Sequence, residues 1–336
     1  MPTVVRNPAV SLTAPEGLVP LAAIQEAQNR IAGAALCTPL VRAVFPGFGA
    51  IALKAESLQP IGSFKLRGAF NMAASLPAEQ RKRGLITYSS GNHAQGVAYA
   101  ARALGTRAVI VMPANAPAVK RRATEALGAT IVTVGPGSQE RRQRAEELAA
   151  AEGYTIIPPY DDAAIIAGQG TCGLEILDQF PEVEIVLAPV GGGGLISGVA
   201  AAIKRQRPDI AIWGVEPELA ADAAESLATG SIVTYSAGQT ARTMADGLRT
   251  QHVGQRNFAH IRAFVDGMVT VTEMEIGAAV RDIARHARLV AEPSGAVACA
   301  AALFHGEAMG ARGQHVCAIL SGGNAEPASL AHLLSH

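Results

Sequence analysis

Apolar positions along this chain follow two rhythms. Leu85–Tyr88, Ala108–Val111, Thr130–Val134 and Tyr154–Ile157 are short apolar or β-branched runs that read as strands. Between them, His93–Leu104, Pro117–Leu127 and Gln139–Ala151 repeat their apolar residues at helical spacing. Parallel strands need crossover helices, so these pieces predict a small parallel unit. A second series follows: helix Ile165–Phe180, strand Glu184–Pro189, helix Leu195–Arg207, strand Ile210–Val215, helix Met274–Ala287 and strand Val316–Leu320. The first eighty residues must pack with one of these two series. The fold class expected is α/β, with open parallel twisted sheets flanked by helices.

Composition narrows the picture by exclusion. A chain of 336 residues has room for two domains, or for one with a large insertion. With 49% apolar and 17% charged residues it can bury a substantial core, which argues against disorder. Formal net charge is zero with no basic block, so neither nucleic acid nor an anionic membrane is an expected partner. The opening MPTVVRNPAVSLTAPEG lacks the charged start and apolar core of a signal peptide, and no segment is long and apolar enough to span a bilayer. Cys37, Cys172, Cys299 and Cys317 show no CxxC spacing and read as small buried residues in a reducing compartment. A cytoplasmic protein is expected.

Candidate chemistry begins at Gly62-Ser63-Phe64-Lys65-Leu66-Arg67-Gly68-Ala69, which sets one lysine at a loop-to-helix junction beside an arginine. A lysine condenses with an aldehyde only when its amine is partly deprotonated, and a dry site with a nearby cation favours that form. On its own a lysine such as Lys65 is more often a solvated surface residue, and only the company of the other segments changes that. At Gly191-Gly192-Gly193-Gly194 the strand EIVLAPV runs straight into four glycines and then the helix LISGVAAAIKR. Glycines let a backbone approach a phosphate closely, and a helix N-terminus stabilises its charge. Ser89-Ser90-Gly91-Asn92-His93 joins a strand to a helix and suits a carboxylate, or serves only as a helix cap. Ser321-Gly322-Gly323-Asn324 ends the apolar strand VCAIL.

One reading of the glycines is a dinucleotide site. Gly192-x-Gly194 with Gly198 is a loosened G-x-G-x-x-G, and Glu216 falls about where a ribose-binding acid would sit. A nicotinamide-dependent dehydrogenase built this way would leave Lys65, SSGNH and SGGN without a task.

Taken in order, the four segments resemble the tryptophan-synthase-β-like, fold type II enzymes that use pyridoxal 5′-phosphate, and within them the serine/threonine dehydratase and serine racemase group. The resemblance runs from Thr38-Pro39-Leu40 to Asn324. It implies a large cofactor-binding domain of residues 1–82 and 161–336, with a small domain, 83–160, inserted in it. It also implies a homodimer. With twelve residues after Asn324, no C-terminal regulatory domain is expected.

The resemblance assigns roles as well. Lys65 would hold the cofactor and act as base, with Phe64 beside it. Gly191, Gly192, Gly193 and Gly194 would cradle the phosphate, Asn92 would meet the ring hydroxyl, Ser321 the pyridine nitrogen, and Glu292 would lie near the ring. A neutral serine at the nitrogen makes a weaker electron sink than an aspartate, which favours β-elimination. Ser89, Ser90, Gly91, Asn92 and His93 would receive the substrate carboxylate. Ser90 would be the acid/base opposite the lysine, while His93 reads as structural. Glu216 and Asp222, with the Ala220 carbonyl, resemble a divalent-cation site of serine racemases, suited to Mg²⁺ or Ca²⁺. Two acids at this spacing are more often just a solvated helix start. Pro158–Asp162 and Glu292–Ala296 match the dehydratase pattern, and Tyr160 stands where mammalian serine racemase has asparagine.

The expected activity is therefore conversion of L-threonine or L-serine to a 2-oxo acid and ammonia. A serine racemase and a threo-3-hydroxyaspartate dehydratase share every motif quoted. A sulfhydrylase usually carries threonine in the carboxylate loop, and a cofactor carrier would not require the catalytic positions.

Overall fold

The computed structural model describes residues 3–8, 10, 17–89, 91–114, 116, 118–135 and 138–335. Its strands are β1 (Val4–Arg6), β2 (Leu40–Phe45), β3 (Gly49–Ala55), β4 (Leu85–Tyr88), β5 (Ala108–Pro113), β6 (Thr130–Val134), β7 (Thr155–Ile156), β8 (Ile185–Pro189), β9 (Ala211–Pro217), β10 (Gly267–Val271) and β11 (Val316–Leu320). Seven of them form one sheet in the order β1-β10-β9-β8-β11-β3-β2, and four form another in the order β6-β5-β4-β7. The smaller sheet is parallel throughout. In the larger one, only the edge strands β1 and β2 run antiparallel to their neighbours. The α/β expectation of two helix-flanked sheets holds.

Strands covered on both faces must be apolar at every position. Every residue of β8 and β11 is buried. Val186 and Ala188 face a core shared with helices Ala163–Gln179 and Gly194–Lys204, while Ile185 and Leu187 face helix Pro293–His305. The first of these helices starts at Asp162, whose carboxylate accepts from the N–H groups of Ala164 at 2.7 Å and Ile165 at 3.3 Å. Such a cap is worth about 1 kcal/mol. The helix then crosses Gly194–Lys204 so closely that a Cβ at Gly198 would lie 2.2 Å from the Ile166 carbonyl oxygen. No helix among the described residues is long and apolar enough to cross a membrane.

Boundaries moved where local chemistry overrode periodicity. Thr272 forms a capping box with Glu275, so that helix starts at Glu273, and after Asp282 it widens into a π turn ending at Ala287. The strand expected over Tyr154–Ile157 pairs only through Thr155–Ile156. The start expected at Pro117 lies outside the described residues, and that helix runs Ala118–Ala126. The β2–β3 hairpin, β10 and helices Leu21–Ile31 and Gln255–Phe264 were not assigned from the pattern.

Topology positions the site. From β8 the chain moves to β9 on one side, whereas β11 returns on the other side of β8. Loops leaving the carboxyl ends of β8 and β11 therefore diverge and open a crevice, where open α/β sheets bind ligands. In the smaller sheet β4 sits likewise between β5 and β7, and the Ser89–His93 segment leaves its carboxyl end.

Candidate active site

Both crevices open into one cavity of about 240 Å³. Lys65 is the first residue of helix Lys65–Ser75 and sits on its wall. The preceding turn is tied to the exit of β11: Ser63 pairs with Gly322, and the Phe64 N–H donates to the Ser321 carbonyl at 3.1 Å. Residues far apart in sequence are thereby set side by side. The Lys65 amine donates to the Pro159 carbonyl at 2.8 Å and lies 5.1 Å from the Phe64 ring centre. Burial lowers it from 10.5 to about 8.

Arg67 does not take the part expected of it. It lies in a fully buried ion cluster away from the cavity, where it binds Glu56 and Glu175. Desolvation alone shifts the lysine, with no help from the neighbouring guanidinium.

The glycine run provides a cradle. Gly193 has φ +92°, a left-handed conformation that favours glycine, at the start of helix Gly194–Lys204. From behind, Asn257 Nδ2 at 2.6 Å and the Gly254 N–H at 3.0 Å donate to the Gly192 carbonyl. Among the described residues, the N–H groups of Gly191, Gly192, Gly193 and Gly194 make no hydrogen bond. Four unused donors at a helix N-terminus, on a cavity wall, fit a phosphate. The N–H groups of Asn92 and His93, opening helix Asn92–Ala103, are likewise unused and fit a second anion.

Polar side chains complete the wall. Asn92 Nδ2 donates to Glu292 Oε1 at 2.5 Å, and Asn324 Nδ2 donates to Asn92 Oδ1 at 2.8 Å. The other Glu292 oxygen is buried without a hydrogen bond, and burial pushes this carboxyl up to about 7. Ser321 is buried, with its Oγ at a long 3.5 Å from the Ser294 carbonyl. His93 donates through Nε2 to the Ile157 carbonyl at 2.9 Å. Burial first and the Lys65 charge second lower its pKa to about 3, so the ring stays neutral and structural. Its main-chain N–H is what it can offer a ligand.

The family model described as "Pyridoxal-phosphate dependent enzyme" matches residues 31–322. The chain belongs to this family. An L-threo-3-hydroxyaspartate ammonia-lyase of Saccharomyces cerevisiae is 41% identical over 315 residues, 93% of this chain and 95% of the relative. A biosynthetic threonine dehydratase of Solanum lycopersicum is 45% identical over 273 residues, which is 81% of this chain and 45% of that relative. The structure of maize serine racemase superposes with a TM-score of 0.88 at 35% identity, covering 94% of this chain and 97% of that one. The fold is that of the fold type II enzymes of the family.

Of the residues singled out from sequence, Phe64, Lys65, Ser89, Gly91, Asn92, His93, the four glycines, Glu292 and Ser321 line the one cavity. Ser90 lies outside the described residues. Glu216, Ala220 and Asp222 are buried together away from the cavity. The Glu216 carboxylate accepts from the N–H groups of Ala223 at 3.1 Å and Ala224 at 2.7 Å, a helix start that leaves no place for a ribose. The family match and this burial together remove the nicotinamide alternative. Sequence reading missed the Lys120–Asp246 ion pair, which joins helix Ala118–Ala126 to the far wall, and it missed Arg141 and Thr250. None of these lies in a motif.

Proposed function

We propose that the protein is a pyridoxal 5′-phosphate-dependent ammonia-lyase acting on small β-hydroxy amino acids such as L-serine and L-threonine. The observation that carries this is one lysine amine, lowered to about 8, on the wall of a cavity with unused N–H groups at two helix N-termini. The names of the relatives support the lyase reading. In the same proposal, residues 1–82 and 161–336 form the large domain and 83–160 the inserted one.

The cofactor, when bound, supplies an electron sink for the charge left at Cα. Gly191–Gly194 would hold its phosphate, Asn92 and Ser321 would orient its ring, and Glu292 would lie near it. The N–H groups of Asn92 and His93 hold the substrate carboxylate. The Lys65 amine takes the Cα proton and, as the ammonium, returns it to the departing Cβ hydroxyl, so that water leaves. The enamine released hydrolyses to a 2-oxo acid and ammonia. Incubating the holoenzyme with a panel of β-hydroxy amino acids, and measuring 2-oxo acid release together with enantiomer inversion, tests the reading. Inversion faster than release would make it a racemase.

Ser90 separates these two chemistries. Racemisation needs a second acid/base group on the face opposite Lys65, whereas elimination from the L-isomer does not. Ser90→Ala should therefore retain much of the L-isomer lyase rate while losing inversion and any activity on D-serine. Circular dichroism of residual serine, with pyruvate release from each isomer, checks this. A fall in L-serine turnover as deep as that of a Lys65 variant would give Ser90 a part in elimination.

A divalent cation is proposed at Glu216 and Asp222, with the Ala220 carbonyl. Among the described residues no cluster of three His, Cys, Asp or Glu side chains exists, so a cation here would draw on two carboxylates and the backbone. The support is that both Asp222 oxygens are buried without a hydrogen bond. Burial, then the Asp222 charge, raises Glu216 well above the carboxylate range, and burial raises Asp222 to about 7. A cation would hold both ionised. Mg²⁺ or Ca²⁺ should raise the melting temperature of chelator-treated protein, and Asp222→Asn should remove that gain. Melting unmoved by either ion would leave the pair held by a shared proton instead.

A further inference from the structure

The glycine cradle can exist in two forms, and only one of them suits an anion. Gly193 has φ +92° and ψ −2°, the pair that the third residue of a type II turn adopts. Rotating the Gly192–Gly193 peptide by half a turn would bring that φ to about −90°, the type I value, which most residues adopt readily. Neither glycine has a side chain to forbid the rotation. The peptide is planar and trans, so its C=O and N–H point in opposite directions. As seen, the carbonyl of Gly192 is turned to Gly254 and Asn257, neither of which lines the cavity, and this leaves the Gly193 N–H for a ligand. The inverted peptide would present an oxygen in its place and repel an anion.

What decides between the two lies behind the cradle. Asn257 is fully buried, and its Nδ2 donates to the Gly192 carbonyl at 2.6 Å, beside the Gly254 N–H at 3.0 Å. Inversion would take the acceptor from both donors. The packing is close as well: a Cβ on Gly193 would lie 2.9 Å from that of Asn257, and one on Gly192 would lie 2.3 Å from the Tyr160 ring. Both donors belong to the start of helix Gln255–Phe264, whose N-cap is Gly254 and brings no side-chain acceptor. Asp161 supplies the acceptor from another segment. Its carboxylate accepts from the N–H groups of Gln255 at 3.1 Å, Arg256 at 2.9 Å and Asn257 at 3.4 Å. Two residues earlier, the Pro159 carbonyl accepts from the Lys65 amine. One short strap therefore bears on both the lysine and the cradle.

We propose that Asn257 and Asp161 are positioning residues that lock the Gly192–Gly193 peptide with its N–H toward the cofactor phosphate, Asn257 by holding the Gly192 carbonyl and Asp161 by fixing the helix start that carries Asn257. The proposal rests on the reading of Gly191–Gly194 as a phosphate cradle and adds the device that keeps the cradle from inverting.

The test titrates the full-length protein, stripped of cofactor, with pyridoxal 5′-phosphate and with pyridoxal, which carries the same aldehyde and no phosphate. Wild-type protein should bind the phosphate form more tightly. Asn257→Leu keeps the volume, removes the donor and also removes an Oδ1 that is buried without a partner. It should weaken pyridoxal 5′-phosphate about tenfold and leave pyridoxal within about twofold. Asp161→Ala should weaken the phosphate form about fivefold with the same selectivity, and Asp161→Asn, which keeps one accepting oxygen, should recover most of that loss. In the reconstituted holoenzymes the phosphorus resonance of the bound cofactor should shift in Asn257→Leu and in Asp161→Ala. Equal losses for the two ligands, or no loss for either, would overturn the lock and leave the cradle standing. Wild-type protein that bound both ligands equally would overturn the cradle reading and the lock with it. Should Asn257→Leu fail to fold, Asp161→Ala decides, since Asp161 is only half-buried: a selective loss there supports the lock and an unselective one overturns it.

Discussion

Lys65→Ala should lower lyase turnover by about 10⁴-fold or more, because in the proposed function one amine would serve both as anchor and as base. The variant should also lose cofactor more readily on dialysis. After borohydride reduction, wild-type protein should carry the cofactor on the peptide containing Lys65, and the variant should carry none. The free amine has a distinct signature in cofactor-free protein. Since burial lowers it from 10.5 to about 8, its labelling by an acylating reagent should rise with pH through about 8, below the ordinary lysine range. Between about 8 and 10.5 the unfolded chain binds a proton that the folded one does not, so the contribution of Lys65 to stability increases with pH across that window. Turnover in Lys65→Ala within tenfold of wild type would remove the lysine from the mechanism and the proposed function with it.

Most of this cavity was legible in the sequence because its parts are contiguous motifs at strand ends. Each of SSGNH, the four glycines and SGGN sits where a strand exits, which is where topology gathers ligands. Most helices and strands between Leu85 and Pro217 were legible from the spacing of their apolar residues, although helix Ser138–Glu152 has almost no apolar face. The early hairpin β2–β3 was not, since its strands alternate burial irregularly and one lies at a sheet edge. Arg141 and Thr250 could not be found from the chain alone. Each is one polar residue in a polar stretch, and what marks it is the absence of a partner in three dimensions. Arg67 was legible as part of the lysine motif yet misassigned. Two residues beyond Lys65 on a helix, it points to a different face, and i to i+2 neighbours do not share a surface.

The same face makes Arg67→Leu the most destabilising substitution expected here. Arg67 donates to Glu56 at 2.8 Å from both Nε and Nη2, and to Glu175 at 2.6 and 2.7 Å from Nη1 and Nη2. Lys54 adds a bond to Glu175 at 2.5 Å and one to the Thr38 carbonyl at 2.7 Å. Two cations thus meet two carboxylates in a place without solvent. Burial alone would raise the Glu56 carboxyl, but Arg67, then Lys54 and Thr38, hold it below its ordinary value. Removing the arginine leaves buried carboxylates with a single lysine between them, a loss of about 3–5 kcal/mol. The deficit should shrink as pH falls, because the Glu56 carboxylate freed of Arg67 takes up a proton at higher pH than in the wild type. Arg67→Lys keeps the charge but cannot serve both carboxylates with a planar fork, and should fall between the two. Because Arg67 does not shift Lys65, the labelling midpoint of Lys65 should stay near 8 in whatever fraction of Arg67→Leu remains folded. Denaturant and thermal unfolding across pH measure the first effect and acylation the second. A loss within about 1 kcal/mol of wild type would show that the ion cluster contributes little, and a Lys65 midpoint moved toward 10.5 would restore Arg67 as its activating cation.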